Sequence, residues 1–318
     1  MSRKAQVLWP FAGLALLAAI VTGLWFYGAA TIRSILAEQA DLRFSAVHIS
    51  GYPSQFRIRL ENPVYIMPQG RLESDSVTAV KPLYKLSHTI IWAEGTQRFT
   101  GLSGDRLTLT GKALEASHVV IDKPDGSNGA RLAIDLTAPQ IRVLPVEAPV
   151  SYFSADRLSL NTRPAETGLE GRLKIKNLRI RDAAGKLGID IPHSKLDFIL
   201  PDTGDTYAPE IDIQSLLLAV RMTEQENLTL RGGGKLKQGD GGYLEGAVNL
   251  RMSNLKSVTE ALVIAGIITQ EDAVSLSLMG NLAAALGGNT ENNLSLPLQF
   301  RGGKSYLGPL EIGPAPRF

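Results

Sequence analysis

No cysteine occurs among the 318 residues. Disulfides, thiolate zinc sites and cysteine nucleophiles are therefore excluded, and the absence itself fits either redox compartment. Histidine is nearly as scarce, with His48, His88, His118 and His193 making up all 4. None has a second histidine at metal-ligand spacing, and most lie in strand-like runs where a solvated or hydrogen-bonded imidazole is the ordinary case. No G-x-S-x-G nucleophile elbow is present. The glycine-rich stretch RGGGKLKQG at 231–239 places Leu236 after Lys235, where a phosphate loop needs Ser or Thr. It reads instead as a flexible or bulged hairpin. The net charge of +2 is too small to point to nucleic acid. Carboxylate pairs such as Glu271-Asp272, or Asp205 with Glu210, carry no mark of general acid and base. These absences predict no cofactor, no metal and no enzymatic activity. The remaining catalytic alternative is an exported hydrolase whose site assembles from distant positions.

What is present starts at the N-terminus. Val7 to Tyr27 is an uncharged apolar run, and a helix needs about 20 such residues to cross the hydrocarbon core. Trp9 lies near one end and Trp25 and Tyr27 near the other, where aromatic rings prefer the membrane interface. Arg3 and Lys4 precede the run, which favours a cytoplasmic N-terminus and an exported main body. A cleaved signal peptide is the alternative, with Gly28-Ala29-Ala30 as its small-residue site. Its apolar core should run only about 7–15 residues, so the length favours a retained anchor in the inner membrane.

The rest divides the chain into an anchor and emerging helix over 1–42 and one β-rich exported domain over 43–318. Period-two alternation marks strands at 56–60, 106–110, 131–136, 157–160 and 195–200. KPDGSNG at 123–129, KQGDGG at 237–242 and Gly302-Gly303 read as hairpin loops. In GRLKIKNLRIR, Leu173 and Ile175 are out of phase with Leu178 and Ile180, which predicts a bulge near Lys176-Asn177. Short similarities, such as SGDRLTLTG with SADRLSLNT, suggest a β unit used more than once. Near the C-terminus the period becomes helical. Leu255, Val258, Leu262 and Ala265 form one face, and Leu278, Met279, Leu282, Ala283 and Leu286 another. Thr269 and Asp272 form a capping-box pattern between them, and Gly287-Gly288 ends the second helix. The predicted fold is mainly β, a curved antiparallel sheet or sheets with an N-terminal transmembrane helix and a C-terminal helical pair.

The strands carry one oily and one basic face. Phe56, Ile58 and Leu60 alternate with Arg57 and Arg59. Leu107 and Leu109, and Leu173 and Ile175, repeat the pattern. These seven apolar residues are the candidate walls of a lipid groove, or the packed face of a sheet. Arg172, Lys174 and Lys176 are the candidate contacts for anionic headgroups, each worth about 1 kcal/mol close to such a surface, or a solvated strand face.

ISGYPSQFRIRLENP at 49–63 and LPLQFRGGKSYLGPLEIGPAP at 296–316, together with the anchor, resemble a family of alphaproteobacterial envelope proteins of unknown function. Gly51, Tyr52 and Pro53 match its turn before a strand, and Leu307, Gly308 and Pro309 its C-terminal hairpin. More distantly, the layout resembles AsmA-like proteins, an inner-membrane helix followed by a long β-rich periplasmic body. That resemblance implies phospholipid as the ligand and an apolar β groove as its path. The expected partners are therefore the inner membrane, phospholipid and another envelope protein. The alternative to a lipid carrier is an anchored scaffold with a packed core that recruits its partner by strand addition.

Overall fold

The computed structural model describes residues 3–122, 128–145, 150–166, 168–182, 188–202, 210–221, 227–253 and 293–316, with scattered residues between 259 and 278. One long helix, α1 (Arg3–Glu38), precedes a single 20-stranded antiparallel sheet. The first strands are β1 (Leu42–Arg43), β2 (Ala46–Ser50), β3 (Gln55–Glu61), β4 (Val64–Met67), β5 (Gly70–Pro82) and β6 (His88–Gly101). The middle is built from β7 (Arg106–Thr110), β8 (Ala113–Asp122), β9 (Asn128–Thr137), β10 (Gln140–Leu144), β11 (Ser151–Ser154), β12 (Arg157–Ala165) and β13 (Gly168–Asp182). A plain meander then runs through β14 (Gly188–Pro201), β15 (Glu210–Arg221), β16 (Asn227–Gln238), β17 (Leu244–Ser253), β18 (Asn293–Arg301), β19 (Lys304–Leu307) and β20 (Leu310–Pro314).

Register gives the order. Strand β5 pairs along one edge with both β3 and β4, and along the other with β6. Strands β7 and β8 share the far edge of β6, and β9 with β12 and β10 with β11 continue as two tracks. Both tracks rejoin on β13, whose 15 residues pair with β12 at one end and β11 at the other. Each full-length strand thus holds the next in register, and the short strands fill the breaks.

The breaks fall where the sequence allows unusual backbone. Asn177 has φ 52° and lacks a register partner in β14, and the facing chain is interrupted at Ala155-Asp156. The phase change in GRLKIKNLRIR thus falls on an irregularity, but not on the predicted bulge, since the register of β13 with β14 and with β11 and β12 is the same on both sides of Asn177. The expected loop at 237–242 is a turn between β16 and β17, with Gly241 and Gly242 at φ 67° and 77°. Gly302 and Gly303, at φ 57° and 74°, close the β18–β19 hairpin, since two positive-φ positions match the strand twist. The glycine-rich stretch at 231–239, expected to be a hairpin, is instead strand β16 as far as Gln238, paired on both sides, with the irregularity carried by β15 between Ile213 and Leu216.

Two clusters of buried residues anchor the ends of the molecule. Trp25, Ala29 and Phe56 join the C-terminal half of α1 to the β2–β3 hairpin, with Ile32, Ile49 and Leu83 around them. Ile213, Leu228, Val248, Leu250, Met252, Leu296 and Leu307 form the other, closed over by Ala273 and Val263 from the helical stretch. Most of the helical pair expected from Leu255 to Gly288 lies outside the described residues, as do most of the loop at 123–129 and Asp272.

Candidate functional site

Directly paired residues of an antiparallel sheet share a face. The pairings therefore convert the oily strand faces into rows. Ile58 stands opposite Ala79, which stands opposite Ile91, and the row continues through Ala116, Ile134, Leu160, Leu173 and Leu196. It then enters the C-terminal cluster through Leu216, Gly232, Leu250 and Leu296. Beside it runs a second row of Leu60, Val77, Ala93, Leu114, Leu136, Leu158 and Ile175. The two rows form one apolar surface that crosses the sheet from the helix-docked hairpin to the far cluster.

Burial along this surface is uneven. It is complete at both ends, at Phe56 and at Leu250. Between them Ile58, Leu60, Ile91, Ile134, Leu158, Leu160, Leu173 and Ile175 are only half-buried, and Leu114 is the one large side chain shut away. A packed sheet interior would bury such residues almost fully.

Helix α1 borders the surface. Trp25, Ala29, Ile32 and Leu36 follow helical spacing and are the more buried positions of its second half. Trp25 stacks on Phe56 at 5.6 Å, and its indole N–H donates to the Gln55 carbonyl at 3.0 Å. Thr22 and Tyr52 share a hydrogen bond of 2.6 Å. Gly28 allows the close approach, since a Cβ there would lie 2.7 Å from the Phe56 ring. The Gly-Tyr-Pro turn is thus the docking point for the helix, a role the sequence pattern did not reveal. An interfacial Trp followed by small residues on one helix face was the available signal.

The predicted groove residues separate into three places. Ile58, Leu60, Leu173 and Ile175 lie in the half-buried rows. Phe56 lies on the same face but under the helix. Leu107 and Leu109 belong elsewhere. They stand opposite Phe99 and Gln97 on one side and Val143 and Ile141 on the other, in a separate apolar patch at the far end of β6. An extra residue at Gly95 divides β6 between the two regions.

The predicted headgroup residues lie on the reverse face. Arg172, Lys174 and Lys176 alternate with Leu173 and Ile175, and all three are exposed. They cannot form one site with the apolar rows, because the sheet stands between them. Arg172 and Lys174 instead line a concavity of about 790 Å³ together with Arg131, Arg163, Glu170 and Asp197, with the apolar Val119 and Ile199 in the same lining. Arg163 pairs with Glu170 at 2.6 Å, and Asp197 takes Arg172 at 2.5 Å and Lys195 at 2.6 Å. Burial works against the Asp197 charge, yet the hydrogen bonds from Arg172 and Lys195 prevail and hold its carboxyl below the usual range. Four cations line this concavity against two carboxylates, so it keeps a net positive charge. Elsewhere His48 contacts Glu61 at 3.3 Å and His88 bonds Ser117 at 2.8 Å. No group of three metal-ligating side chains occurs among the described residues.

A family model described as "Uncharacterized protein conserved in bacteria (DUF2125)" matches residues 25–316. The chain belongs to this bacterial family. The matched segment of this DUF2125 member opens at Trp25, which is buried against the sheet, so it includes the docked helix half. It also contains the Gly-Tyr-Pro turn, both apolar rows and the C-terminal hairpin. No curated protein and no solved structure matches the chain.

Proposed function

We propose that this protein is an inner-membrane-anchored periplasmic protein that shelters phospholipid acyl chains on its apolar sheet face and so serves envelope assembly, binding its ligand without catalysis. The observation that carries this reading is the pair of half-buried aliphatic rows that begin beside a membrane-length helix. Residues Gly13–Glu38 of α1 have a mean hydropathy of 1.8 in their most apolar window, of which 11% is buried. A face that starts at the bilayer and stays apolar across eight paired positions suits a chain leaving the membrane. Each acyl methylene moved from water onto it contributes roughly 0.8 kcal/mol. The AsmA-like layout of helix and β body points the same way, as an analogy of architecture.

The docked helix also favours a retained anchor. Cleavage at Gly28-Ala29-Ala30 would remove Trp25 and Ala29 from the cluster that seats Phe56. Arg3 and Lys4 before the apolar run favour a cytoplasmic N-terminus, which supports a periplasmic sheet in this reading.

Native mass spectrometry of the full chain in nanodiscs tests the reading. Phospholipid should remain at a defined stoichiometry beyond the helix annulus, and Ile134→Asp should release it while the far-ultraviolet spectrum is kept. Equal lipid retention in wild type and variant would refute a binding role for the rows.

A further inference from the structure

Both ends of the β5–β6 pair expose apolar side chains, Tyr65, Ile66, Leu72 and Leu102 at one and Tyr52, Tyr84 and Leu86 at the other, and it is the second that is tied to the apolar run of α1. At the end where α1 enters, Tyr52 is 49% exposed at the β2–β3 turn, and Tyr84 and Leu86 are 85% and 56% exposed in the β5–β6 turn. The two turns are tied together, since the Leu83 N–H donates to the Ser54 carbonyl at 3.0 Å. Leu83 also packs on the cluster of Trp25, Ala29 and Phe56. Lys85 lies exposed between Tyr84 and Leu86. Aromatic, aliphatic and cationic side chains in one small rim are the composition that suits a membrane–water interface.

The helix fixes the depth of this rim. Tyr52 bonds Thr22, which lies inside the apolar run that closes at Tyr27. At a rise of about 1.5 Å per residue, Thr22 sits roughly 7.5 Å within that end of the run. A helix that spans the bilayer therefore carries the Tyr52 ring below the headgroups and brings the β5–β6 turn to their level. Leu17, in the same helix and 59% exposed, lies deeper still.

We infer that the β2–β3 and β5–β6 turns form a membrane-inserted rim, with Tyr52, Tyr84, Leu86 and Lys85 seated in the periplasmic leaflet of the membrane that α1 spans. This rests on the anchor reading above, and not on lipid binding by the rows. The rim sits where the apolar rows begin, so acyl chains would pass from leaflet to sheet without crossing water.

The lack of cysteine makes single labelled positions clean. Tyr84→Cys, Leu86→Cys, Leu17→Cys and Leu102→Cys would each carry an environment-sensitive fluorophore on the full chain. Leu102 is 82% exposed at the opposite end of β6, roughly 45 Å along the strand. The chains are reconstituted into phosphatidylcholine–phosphatidylglycerol vesicles containing lipids with shallow or deep nitroxides. The label at 84 or 86 should lose fluorescence to shallow nitroxides, the label at 17 to deep ones, and the label at 102 to neither. Quenching at 17 with labels at 84 and 86 behaving like 102 would overturn the rim and leave the anchor standing. Absence of quenching at 17 would overturn the anchor and the rim with it.

Discussion

Asp75 shows how one carboxylate shapes the sheet. Its two oxygens accept the Thr96 N–H at 2.8 Å and the Arg98 guanidinium at 2.9 Å, bridging the extra residue in β6. Gly95 sits there at φ 75°, and a Cβ would come within 3.0 Å of three Asp75 atoms. The Thr96 N–H, aided by Arg98, holds the Asp75 carboxyl below its ordinary value of 3.8. A carboxyl whose pKa is lower folded than unfolded contributes stability above its unfolded value, and that contribution fades as pH falls through the folded one. Asp75→Asn should therefore lower the urea midpoint at neutral pH and match wild type in strong acid. A constant difference across the titration would exclude this role. Gly95→Ala should destabilise at every pH, because it collides with Asp75 and strains the backbone.

The elements themselves were largely legible. Period-two alternation located the strands, and the phase change located the irregularity at Asn177. Pairing was not legible, because it depends on residues far apart in the chain and each strand offers the same oily face to any neighbour. That is why Leu107 and Leu109 seemed equivalent to Ile58 and Leu60. It is also why Phe56 seemed to be a groove wall, when the helix above it is set by Gly28 and Trp25. The docking can be tested at this scale. Trp25→Ala removes a buried ring and should cost about 3–5 kcal/mol where the site cannot collapse. Gly28→Val should separate helix from hairpin by crowding Phe56. Both variants should expose the Tyr52–Pro53 turn to limited proteolysis in detergent, and unchanged cleavage would contradict the docked arrangement.

At the scale of the whole molecule, chemistry is divided between two faces of one sheet. The apolar face links a membrane-length helix to a packed C-terminal end, and the opposite face carries ion pairs with cations in excess. Sequence alternation announced both faces but not their continuity across strands. That continuity makes neighbouring residues differ sharply. Leu160 lies in the first apolar row and Ser159 lies opposite Lys174 on the polar face. The most direct measurement places a photo-crosslinking benzoylphenylalanine at Leu160 in one full-length chain and at Ser159 in another. Both are irradiated in a bacterial envelope, and the adducts are identified by mass spectrometry. A phospholipid adduct at 160 and none at 159 is the predicted result. No lipid at 160, or equal amounts at both, would contradict the account.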